Sequence, residues 1–308
     1  MSDARPSVAA FGVFDGLHRG HQSLIGEVVR RAHDGGALAS VVTFDPHPAL
    51  VLSPSSAPRL IGTLEQRIEG LSRLGVERVL VVTFDAAAAR ESARSFIERV
   101  LVGELGVCDV VVGDDVHFGR DREGDVALLV DEGLRHGFRV HPSPTYGDDE
   151  RFSSSAVRAA LAAGEVGVAA EILGRPFVVR AVVERGDQRG RELGFPTANL
   201  RPGERQQLPD LGVYAGALRR GDRWYAAAVS LGTRPQFYET GTALLEAHLL
   251  DFSGDLYGET LDLAFLARLR GEARFDSVEQ LVDQMTRDVT ATREIFKDFT
   301  PGASVLLG

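Results

Sequence analysis

The chain of 308 residues contains a single cysteine, Cys108. This residue lies in the apolar run 107–112, where a small buried side chain is more typical than a nucleophile or a metal ligand. One cysteine excludes a disulfide bond within the chain. We therefore expect a cytoplasmic location, where disulfide bonds are rare.

Lysine is equally scarce, because Lys297 is the only one in the chain. The phosphate-binding loop Gly-x-x-x-x-Gly-Lys is therefore excluded, and the composition argues against Schiff-base chemistry. Any phosphate group must be held by arginine, histidine, backbone N–H groups or a metal ion.

The sequence also lacks a dense basic tract and a long apolar run. Its net charge is −10, which argues against a nucleic-acid surface, since binding to a phosphate backbone needs clustered positive charge. No apolar run approaches a membrane span, and residues 1–6 lack a secretory signal pattern. The length of 308 residues predicts two domains, and 44% hydrophobic with 25% charged residues is typical of globular proteins. We expect neither nucleic-acid nor membrane partners.

Residues 11–21 read Phe-Gly-Val-Phe-Asp-Gly-Leu-His-Arg-Gly-His. The apolar run 8–10 precedes this motif, and apolar residues at helical spacing follow it: Leu24, Ile25, Val28 and Val29. The motif is therefore predicted to form a strand-to-helix turn, whose free N–H groups and helix dipole attract phosphate.

His18 and His21 stand at the predicted helix start, so both can reach one phosphate. There they can donate hydrogen bonds to the charge that develops when an α-phosphate is attacked, as nucleotidyl transfer requires. Asp15 and Gly16 favour a tight turn, and Gly20 would let a phosphate approach the backbone closely. Two surface histidines near a helix start are the simpler alternative.

Up to about residue 161, apolar runs alternate with segments of helical period. This alternation predicts a parallel sheet covered by helices, with strands at 8–13, 38–44, 78–84, 107–113 and 138–141. Ligands in such sheets bind beyond the carboxyl ends of the strands. The polar segments at those ends should open onto one crevice, although each alone is better explained as an ordinary turn: 15–18, 45–48 and 113–115.

A further helix is predicted to begin at Ser153, Ser154 and Ser155, with Arg158 one turn along. Hydroxyl groups and an arginine at a helix start form an anion cradle. Combined with the two histidines, this cradle would hold the β- and γ-phosphates of a nucleoside triphosphate. Taken by itself, the segment is only a good N-cap.

The sequence pattern changes after the small residues and glycines at 164–174. We predict one domain over residues 1–170 and a second over 171–308. Most segments of the second read as strands, at 177–184, 213–218, 224–231, 244–252 and 260–266. One long helix follows, built on Val278, Leu281, Val282, Met285 and Val289. Short strands with a terminal helix predict a small closed barrel.

Residues 190–199 read Gly-Arg-Glu-Leu-Gly-Phe-Pro-Thr-Ala-Asn. If the end of this tract is extended, the side chains of Thr197 and Asn199 point the same way. Neutral oxygen ligands suit a Mg²⁺ ion whose charge is largely compensated by ATP phosphates. Flanking glycines would let a loop close over a nucleotide: Gly186, Gly190 and Gly194. The alternative is a turn that leads into a strand.

Glu246 lies in the predicted strand 244–252, which is otherwise mostly apolar. A partly desolvated carboxylate has a raised pKa and becomes a usable general base. The alternative is a carboxylate that faces solvent across an amphipathic strand.

In their order along the chain, these motifs resemble those of the bacterial bifunctional riboflavin kinase/FMN adenylyltransferase family, also called FAD synthetase. Residues 14–21 resemble the adenylyltransferase signature, and 153–158 resemble its phosphate-binding Ser-Ser-Thr-x-Ile-Arg. Residues 194–199 and 246–252 resemble the metal and base segments of the kinase. The resemblance implies an α/β Rossmann-like nucleotidylyltransferase domain followed by a small six-stranded antiparallel β-barrel with a C-terminal helix.

The resemblance also implies two consecutive reactions on small-molecule substrates, riboflavin, FMN and ATP. The second domain would phosphorylate riboflavin to FMN with Mg·ATP, using Glu246 as base and Thr197 and Asn199 at the metal. The first domain would adenylylate FMN to FAD and release pyrophosphate, with His18 and His21 stabilising the transition state.

Further residue roles follow from the same resemblance. Asp115 and Arg293 would contact the flavin. Nucleotide binding would fall to Phe14, Asp15, Gly16, Gly20, Ser153, Ser154, Ser155, Arg158, Gly186, Gly190 and Gly194.

The sequence departs from the family pattern near the predicted flavin end of the kinase site. Ser230 and Gln236 stand where the family usually has Asn and Thr. Smaller departures occur at Val13, Val116 and Ser155. Two alternatives therefore remain: a nucleotidyltransferase that acts on another acceptor, with the barrel as a specificity domain, and a flavin-binding protein without catalytic activity.

Overall fold

The computed structural model describes residues 5–143, 152–186, 190, 193–233 and 243–300. These residues form two compact units. Among the described residues, the first contains 5–59, 64–143 and 152–153, and the second contains 60–63, 154–186, 190, 193–233 and 243–300.

The first unit is a parallel sheet with helices on both faces, as the sequence predicts. Five strands pair in the order β3-β2-β1-β4-β5, and all four pairings are parallel. The elements in chain order are β1 (Ser7–Phe11), α1 (Arg19–Gly35), β2 (Leu38–Asp45), α2 (Pro48–Leu52), α3 (Leu64–Arg73), β3 (Arg78–Thr83), α4 (Ala93–Phe96), β4 (Val107–Gly113), α5 (Val126–His136) and β5 (Arg139–Ser143). A π-helical segment, Ile97–Glu104, continues α4.

Alternate residues of β1 enter two separate cores, because successive strand side chains point to opposite faces. Val8 and Ala10 pack with Ile25 and Val28 of α1, which confirms the predicted apolar face of that helix. The opposite core contains Ala9 and Phe11 from β1, together with Phe96, Ile97, Val100 and Leu101. The strand order reverses at β1, so the crevice expected for a ligand lies beyond the carboxyl ends of β1 and β4.

The second unit is built around a closed barrel of six antiparallel strands in the order β10-β7-β6-β11-β8-β9. Its elements are α6 (Ser154–Ala162), α7 (Val166–Leu173), β6 (Phe177–Glu184), β7 (Ala198–Pro202), β8 (Gly212–Arg220), β9 (Arg223–Thr233), β10 (Ala243–Leu249), β11 (Thr260–Arg270) and α8 (Val278–Lys297). The predicted closed barrel and its terminal helix are confirmed.

The periodicity of the sequence does not predict one of the barrel strands, β7. β7 has only five residues, including Asn199 and Pro202, so it shows no apolar alternation long enough to indicate a strand. It nevertheless pairs with both β6 and β10 and completes the ring. β10 ends at Leu249, so the predicted extent of that strand to residue 252 is wrong.

In the part of the chain that the structure describes, two helices, α6 and α7, come between β5 and β6 along the sequence. Residues in the predicted boundary region form α7, which ends at Leu173 and is capped by Gly174 with a φ of 74°. Both α6 and α7 belong to the barrel unit, and the division between the units falls after Ser153. The domain limits at residues 170 and 171 stay a prediction.

Cys108 is half-buried in β4, and its Sγ lies 3.5 Å from the carbonyl oxygen of Ser7. Burial raises the pKa of its thiol, and the neighbouring Asp109 raises it further. A raised pKa disfavours the reactive thiolate, in keeping with the predicted inert side chain. Among the helices that the structure describes, none is long and apolar enough to cross a membrane. The expected cytoplasmic location stays a prediction.

Candidate active sites

The turn after β1 has an unusual backbone. Phe14, Gly16 and Leu17 all have positive φ values, 54°, 79° and 44°. Only one of the three is a glycine, so two ordinary side chains hold a conformation that L-residues rarely adopt. Both of those side chains are buried, as is Asp15 between them. Packing therefore fixes the turn that the sequence motif predicts.

His18 is the N-cap of α1, which confirms that the histidine pair stands at a helix start. Its Nδ1 accepts a hydrogen bond from the backbone N–H of His21 at 3.4 Å. The two imidazole rings stack with centroids 3.6 Å apart, and the Phe14 ring meets His21 edge-on at 5.2 Å. The two rings thus form one rigid surface at the positive end of the helix.

Gly20 lies close to the His18 ring. A Cβ on residue 20 would lie 3.2 Å from two atoms of that ring and 3.3 Å from the carbonyl oxygen of Phe152. A side chain there would require these neighbours to shift by a few tenths of an ångström. The predicted close approach of a phosphate to Gly20 stays a prediction.

The His21 side chain is held in its neutral form. Burial lowers its pKa well below the ordinary value of 6.5, and the charges of His18 and Arg67 lower it further. Its Nδ1 is buried, and no hydrogen-bonding partner for it lies among the described residues. A neutral imidazole keeps one N–H that can be donated to developing negative charge.

Arg67 on α3 is a residue of this region that the sequence motifs do not indicate. Its guanidinium is buried, and Nη1 donates hydrogen bonds of 3.0 Å to the Thr43 hydroxyl and the Phe44 carbonyl. An arginine on an amphipathic helix is usually exposed. The sequence signal for the burial of Arg67 was its spacing, because it lies four residues before the fully buried Leu71 and therefore on the same face of the helix.

The predicted serine cradle begins a helix, as expected. Ser153 is the last residue of the first unit, and Ser154, Ser155 and Arg158 lie in the first turns of α6 in the second unit. Val157 is the buried residue of this first turn. Phosphate binding by the cradle stays a prediction.

Asp115 is exposed in the turn that follows β4. Its Oδ1 lies 2.9 Å from the position that a Cβ on Gly113 would occupy, so the carboxylate folds back over the strand end. The predicted flavin contact of Asp115 is not tested by this geometry.

On the barrel, polar residues of neighbouring strands lie directly opposite one another. Glu246 of β10 pairs with Asn199 of β7 on one side and with Ser230 of β9 on the other. Leu245 and Ala247, the chain neighbours of Glu246, are buried in the interior. The alternation of a strand therefore places Glu246, Asn199 and Ser230 on the outer face of the barrel.

Thr197 completes this group. It lies one residue before β7, and its hydroxyl donates to Oε1 of Glu246 at 3.4 Å. The structure thus brings the predicted metal-binding pair and the predicted base together on one surface. Glu246 is half-buried there, and its predicted raised pKa stays a prediction.

The three predicted glycines have different local roles. A Cβ on Gly186 would lie 2.2 Å from Nδ2 of Asn199, so this glycine makes room for the amide. A Cβ on Gly190 would lie 2.4 Å from the Phe195 carbonyl oxygen, and the Gly190 carbonyl accepts from the Phe195 N–H at 2.8 Å. Gly194 has a φ of 85°. The other members of the tract, 187–189 and 191–192, lie outside the described residues.

His248 lies within the segment 246–252 that resembles the base segment of the kinase, but the sequence assigns it no role of its own. It follows Glu246 by two positions, and its Nδ1 lies 2.8 Å from the Pro196 carbonyl oxygen. Because a carbonyl only accepts, Nδ1 is the protonated ring nitrogen. The ring also meets Phe195 edge-on at 5.5 Å. His248 therefore ties β10 to the backbone immediately before Thr197.

Arg293 on α8 pairs with the carboxylate of Asp251 through both terminal nitrogens, at 2.5 and 3.1 Å. Asp251 follows β10 closely and has a φ of 55°. The pairing joins α8 to the strand that carries Glu246. Contact of Arg293 with a flavin stays a prediction, and Gln236 lies outside the described residues.

Two family models match the chain in succession. The model described as FAD synthetase matches residues 1–156, and the model described as riboflavin kinase matches residues 173–296. The first match covers the parallel-sheet unit and the second covers the six-stranded barrel. These matches define a class of two-domain enzymes, in which the nucleotidyltransferase domain is N-terminal and the kinase domain is C-terminal.

Curated relatives match over almost their entire length. A bifunctional riboflavin kinase/FMN adenylyltransferase from Pseudomonas fluorescens is 40% identical over 292 residues, covering 94% of this chain and 93% of the relative. Its namesake from Escherichia coli K12 is 38% identical over 291 residues, covering 94% and 92%. The namesake from Bacillus subtilis is 34% identical and covers 92% and 90%. The chain belongs to the bifunctional riboflavin kinase/FMN adenylyltransferase family.

A solved structure from Streptococcus pneumoniae shares the same fold. It superposes with a TM-score of 0.83 at 31% identity and covers 97% of this chain and 96% of that one. It is described as a macrolide-efflux protein, a name that differs from those of the curated relatives.

Proposed function

We propose that the chain converts riboflavin to FMN and then FMN to FAD, with ATP as co-substrate of both steps. Membership in the family supports this function, since the relatives carry both activities in their names. The structural observation that carries it is the convergence of Thr197, Asn199 and Glu246 on the outer face of the barrel. Binding alone would not need a carboxylate beside a hydroxyl and an amide.

In the first step, Glu246 takes the proton from the terminal ribityl hydroxyl of riboflavin. The freed oxygen attacks the γ-phosphorus of ATP, the bond to the β,γ-bridging oxygen breaks, and ADP leaves. Positioning and charge neutralisation dominate phosphoryl transfer. The Thr197 hydroxyl donates to the Glu246 carboxylate at 3.4 Å, and this hydrogen bond would orient the base.

We assign Thr197 and Asn199 to a magnesium ion. The donors on this surface are a hydroxyl, an amide and a carboxylate, and oxygen ligands of this kind suit Mg²⁺ that also binds ATP phosphates. A Cβ on Gly186 would fill the space that the Asn199 amide occupies, so the backbone leaves room for this ligand. When bound, the ion neutralises charge on the transferred phosphoryl group.

In the second step, a phosphate oxygen of FMN attacks the α-phosphorus of ATP. The bond to the α,β-bridging oxygen breaks, and pyrophosphate leaves. His18 and His21 donate hydrogen bonds to the charge that develops on the α-phosphate. The turn of Phe14, Asp15, Gly16 and Gly20 orients the two rings, and we assign Ser153, Ser154, Ser155 and Arg158 to the ATP phosphates.

The two activities provide their own internal controls. In the purified full-length chain with Mg²⁺ and ATP, Glu246→Gln should abolish FMN formation from riboflavin and leave FAD formation from FMN intact. His21→Ala should do the reverse. Chromatographic assays with riboflavin and with FMN as separate starting substrates measure both. Glu279→Gln, an exposed carboxylate in the first turn of α8, is the matched control for the charge change.

Three outcomes would contradict the proposal. Absence of both products from the unaltered chain at saturating ATP would favour a flavin-binding protein. FAD formation without kinase activity would favour a nucleotidyltransferase with the barrel as a specificity domain. Loss of both activities in either variant would contradict the assignment of one reaction to each domain.

A further inference from the structure

We propose that Arg67 is a positioning residue for adenylyl transfer, which fixes the turn that carries the two histidines and places a permanent positive charge beside His21. The inference rests on the proposed function of that turn. It adds a third side chain, from a different helix, to a site that the sequence motif limits to residues 14–21.

A chain of hydrogen bonds links Arg67 to this turn. Its Nη1 donates to the Thr43 hydroxyl at 3.0 Å, and that hydroxyl donates to the Val13 carbonyl, also at 3.0 Å. Val13 directly precedes Phe14, whose positive φ needs support from its surroundings. Arg67 therefore acts on the backbone at the point where the unusual turn begins.

The buried guanidinium of Arg67 is incompletely hydrogen-bonded. Arg67 is 4% exposed, yet its Nε has no hydrogen-bond partner among the described residues. Buried arginines with a structural role normally have their N–H groups paired. Burial lowers the pKa of Arg67, and the charges of Asp15 and Asp45 counteract this effect. A buried cation with an unsatisfied hydrogen-bond donor is typical of a functional site, because such sites often depart from the rule that buried polar groups are paired.

The charge of Arg67 acts on His21. Burial is the main cause that lowers the pKa of His21, and the charges of His18 on the same turn and of Arg67 on α3 lower it further. Asp15 lies close enough to Arg67 to stabilise its charge. Arg67 therefore favours the neutral form of His21, whose ring is stacked on that of His18.

Three variants of the full-length chain test this role. Arg67→Met removes the charge at similar side-chain length, and Arg67→Lys keeps the charge but loses the forked geometry. Arg73→Met, an exposed arginine on the same helix, is the matched control. The measurements are kcat and KM for FAD formation from FMN, kinase activity on riboflavin, and the pKa of the His21 imidazole by NMR of histidine-labelled protein.

We expect Arg67→Met to lower kcat for FAD formation by about 100-fold, because the histidine pair loses its fixed position. KM for ATP and kinase activity should stay within about twofold of their original values. The pKa of His21 should rise toward its ordinary value of 6.5 in Arg67→Met. It should not change in Arg67→Lys or Arg73→Met.

Other results would overturn the inference while leaving the proposed function intact. FAD formation that survives in Arg67→Met shows that the residue is dispensable. A loss of FAD formation with no change in the pKa of His21 reduces Arg67 to a structural role. If Arg67→Met does not fold, Arg67→Lys decides, because lysine keeps the charge and loses only the forked geometry: a loss in kcat with KM for ATP and kinase activity unchanged supports the positioning role, and full activity rejects it. Failure of the unaltered chain to make FAD would instead reject the proposed function.

Discussion

Gly186 lies directly against the side chain of Asn199, at the base of the barrel site. A Cβ on residue 186 would come within 2.2 to 2.4 Å of three atoms of the Asn199 amide, a separation that atoms cannot adopt. Residue 186 comes two positions after the end of β6, and Asn199 lies on the neighbouring strand. The glycine therefore determines where one of the two proposed magnesium ligands is placed.

Gly186→Ala should move the Asn199 amide and lower riboflavin kinase activity by about 10- to 100-fold, because small displacements at a reacting centre are costly. The apparent affinity for Mg²⁺ should fall as well. Gly203→Ala is the control, since a Cβ there meets no atom within 4 Å. Kinase rates over a magnesium titration measure the effect, and equal rates in both variants would show that Asn199 does not need its observed position.

His248 offers a second test of the kinase site, because its hydrogen bond and its ring contact can be removed separately. His248→Asn keeps a donor at the position of Nδ1, whereas His248→Phe keeps the ring against Phe195 and loses the donor. If the bond to the Pro196 carbonyl positions Thr197, the Asn variant should retain most kinase activity. The Phe variant should lose about tenfold, which corresponds to about 1.4 kcal/mol.

The result is read from kcat and from the magnesium requirement of FMN formation. Conversion of FMN to FAD by the same preparations serves as the test of folding. Higher activity in the Phe variant than in the Asn variant would assign the role of His248 to the ring contact rather than to the hydrogen bond.

The structural features that could be predicted from the sequence are those that depend on residues close together along the chain. The turn around His18 and His21 is local, since its signals lie within a dozen residues, and it forms where the motif places it. The apolar face of α1 was likewise readable from its period. Membership of Thr197, Asn199 and Glu246 in one cluster followed only from the family resemblance.

Other parts depended on contacts that no local pattern records. Arg67 binds Thr43, which is 24 residues away, and His248 binds Pro196 across 52 residues. β7 is recognisable as a strand only through its two partner strands. The grouping of α6 with the barrel is also a matter of tertiary contacts, which no periodicity in the sequence records.

Asp262 in β11 should be essential for the stability of the barrel. Its buried carboxylate accepts from Nε of Arg180 at 2.7 Å and also pairs with Arg219. Asp262→Asn leaves two arginines facing a neutral amide, so we expect a loss of about 3 kcal/mol in the free energy of unfolding. Asp222→Asn, in the exposed turn between β8 and β9, should change it by less than about 0.5 kcal/mol. Urea denaturation measures both, and equal losses would contradict the role of the buried network.

The lowered pKa of His21 predicts a pH dependence of stability. The unfolded chain binds a proton at this residue near the ordinary pKa of 6.5, whereas the folded protein resists protonation until a lower pH. The unfolded state therefore holds more protons just below pH 6.5, and stability should fall as the pH decreases through that range. The contribution of one such residue is at most about 1.4 kcal/mol per pH unit.

His21→Asn should lose this dependence, and His33→Asn, an exposed histidine on the same helix, should retain it. Urea unfolding between about pH 5 and about pH 8 measures the slopes, and parallel curves for the unaltered chain and His21→Asn would show that the folded protein does not hold this imidazole neutral.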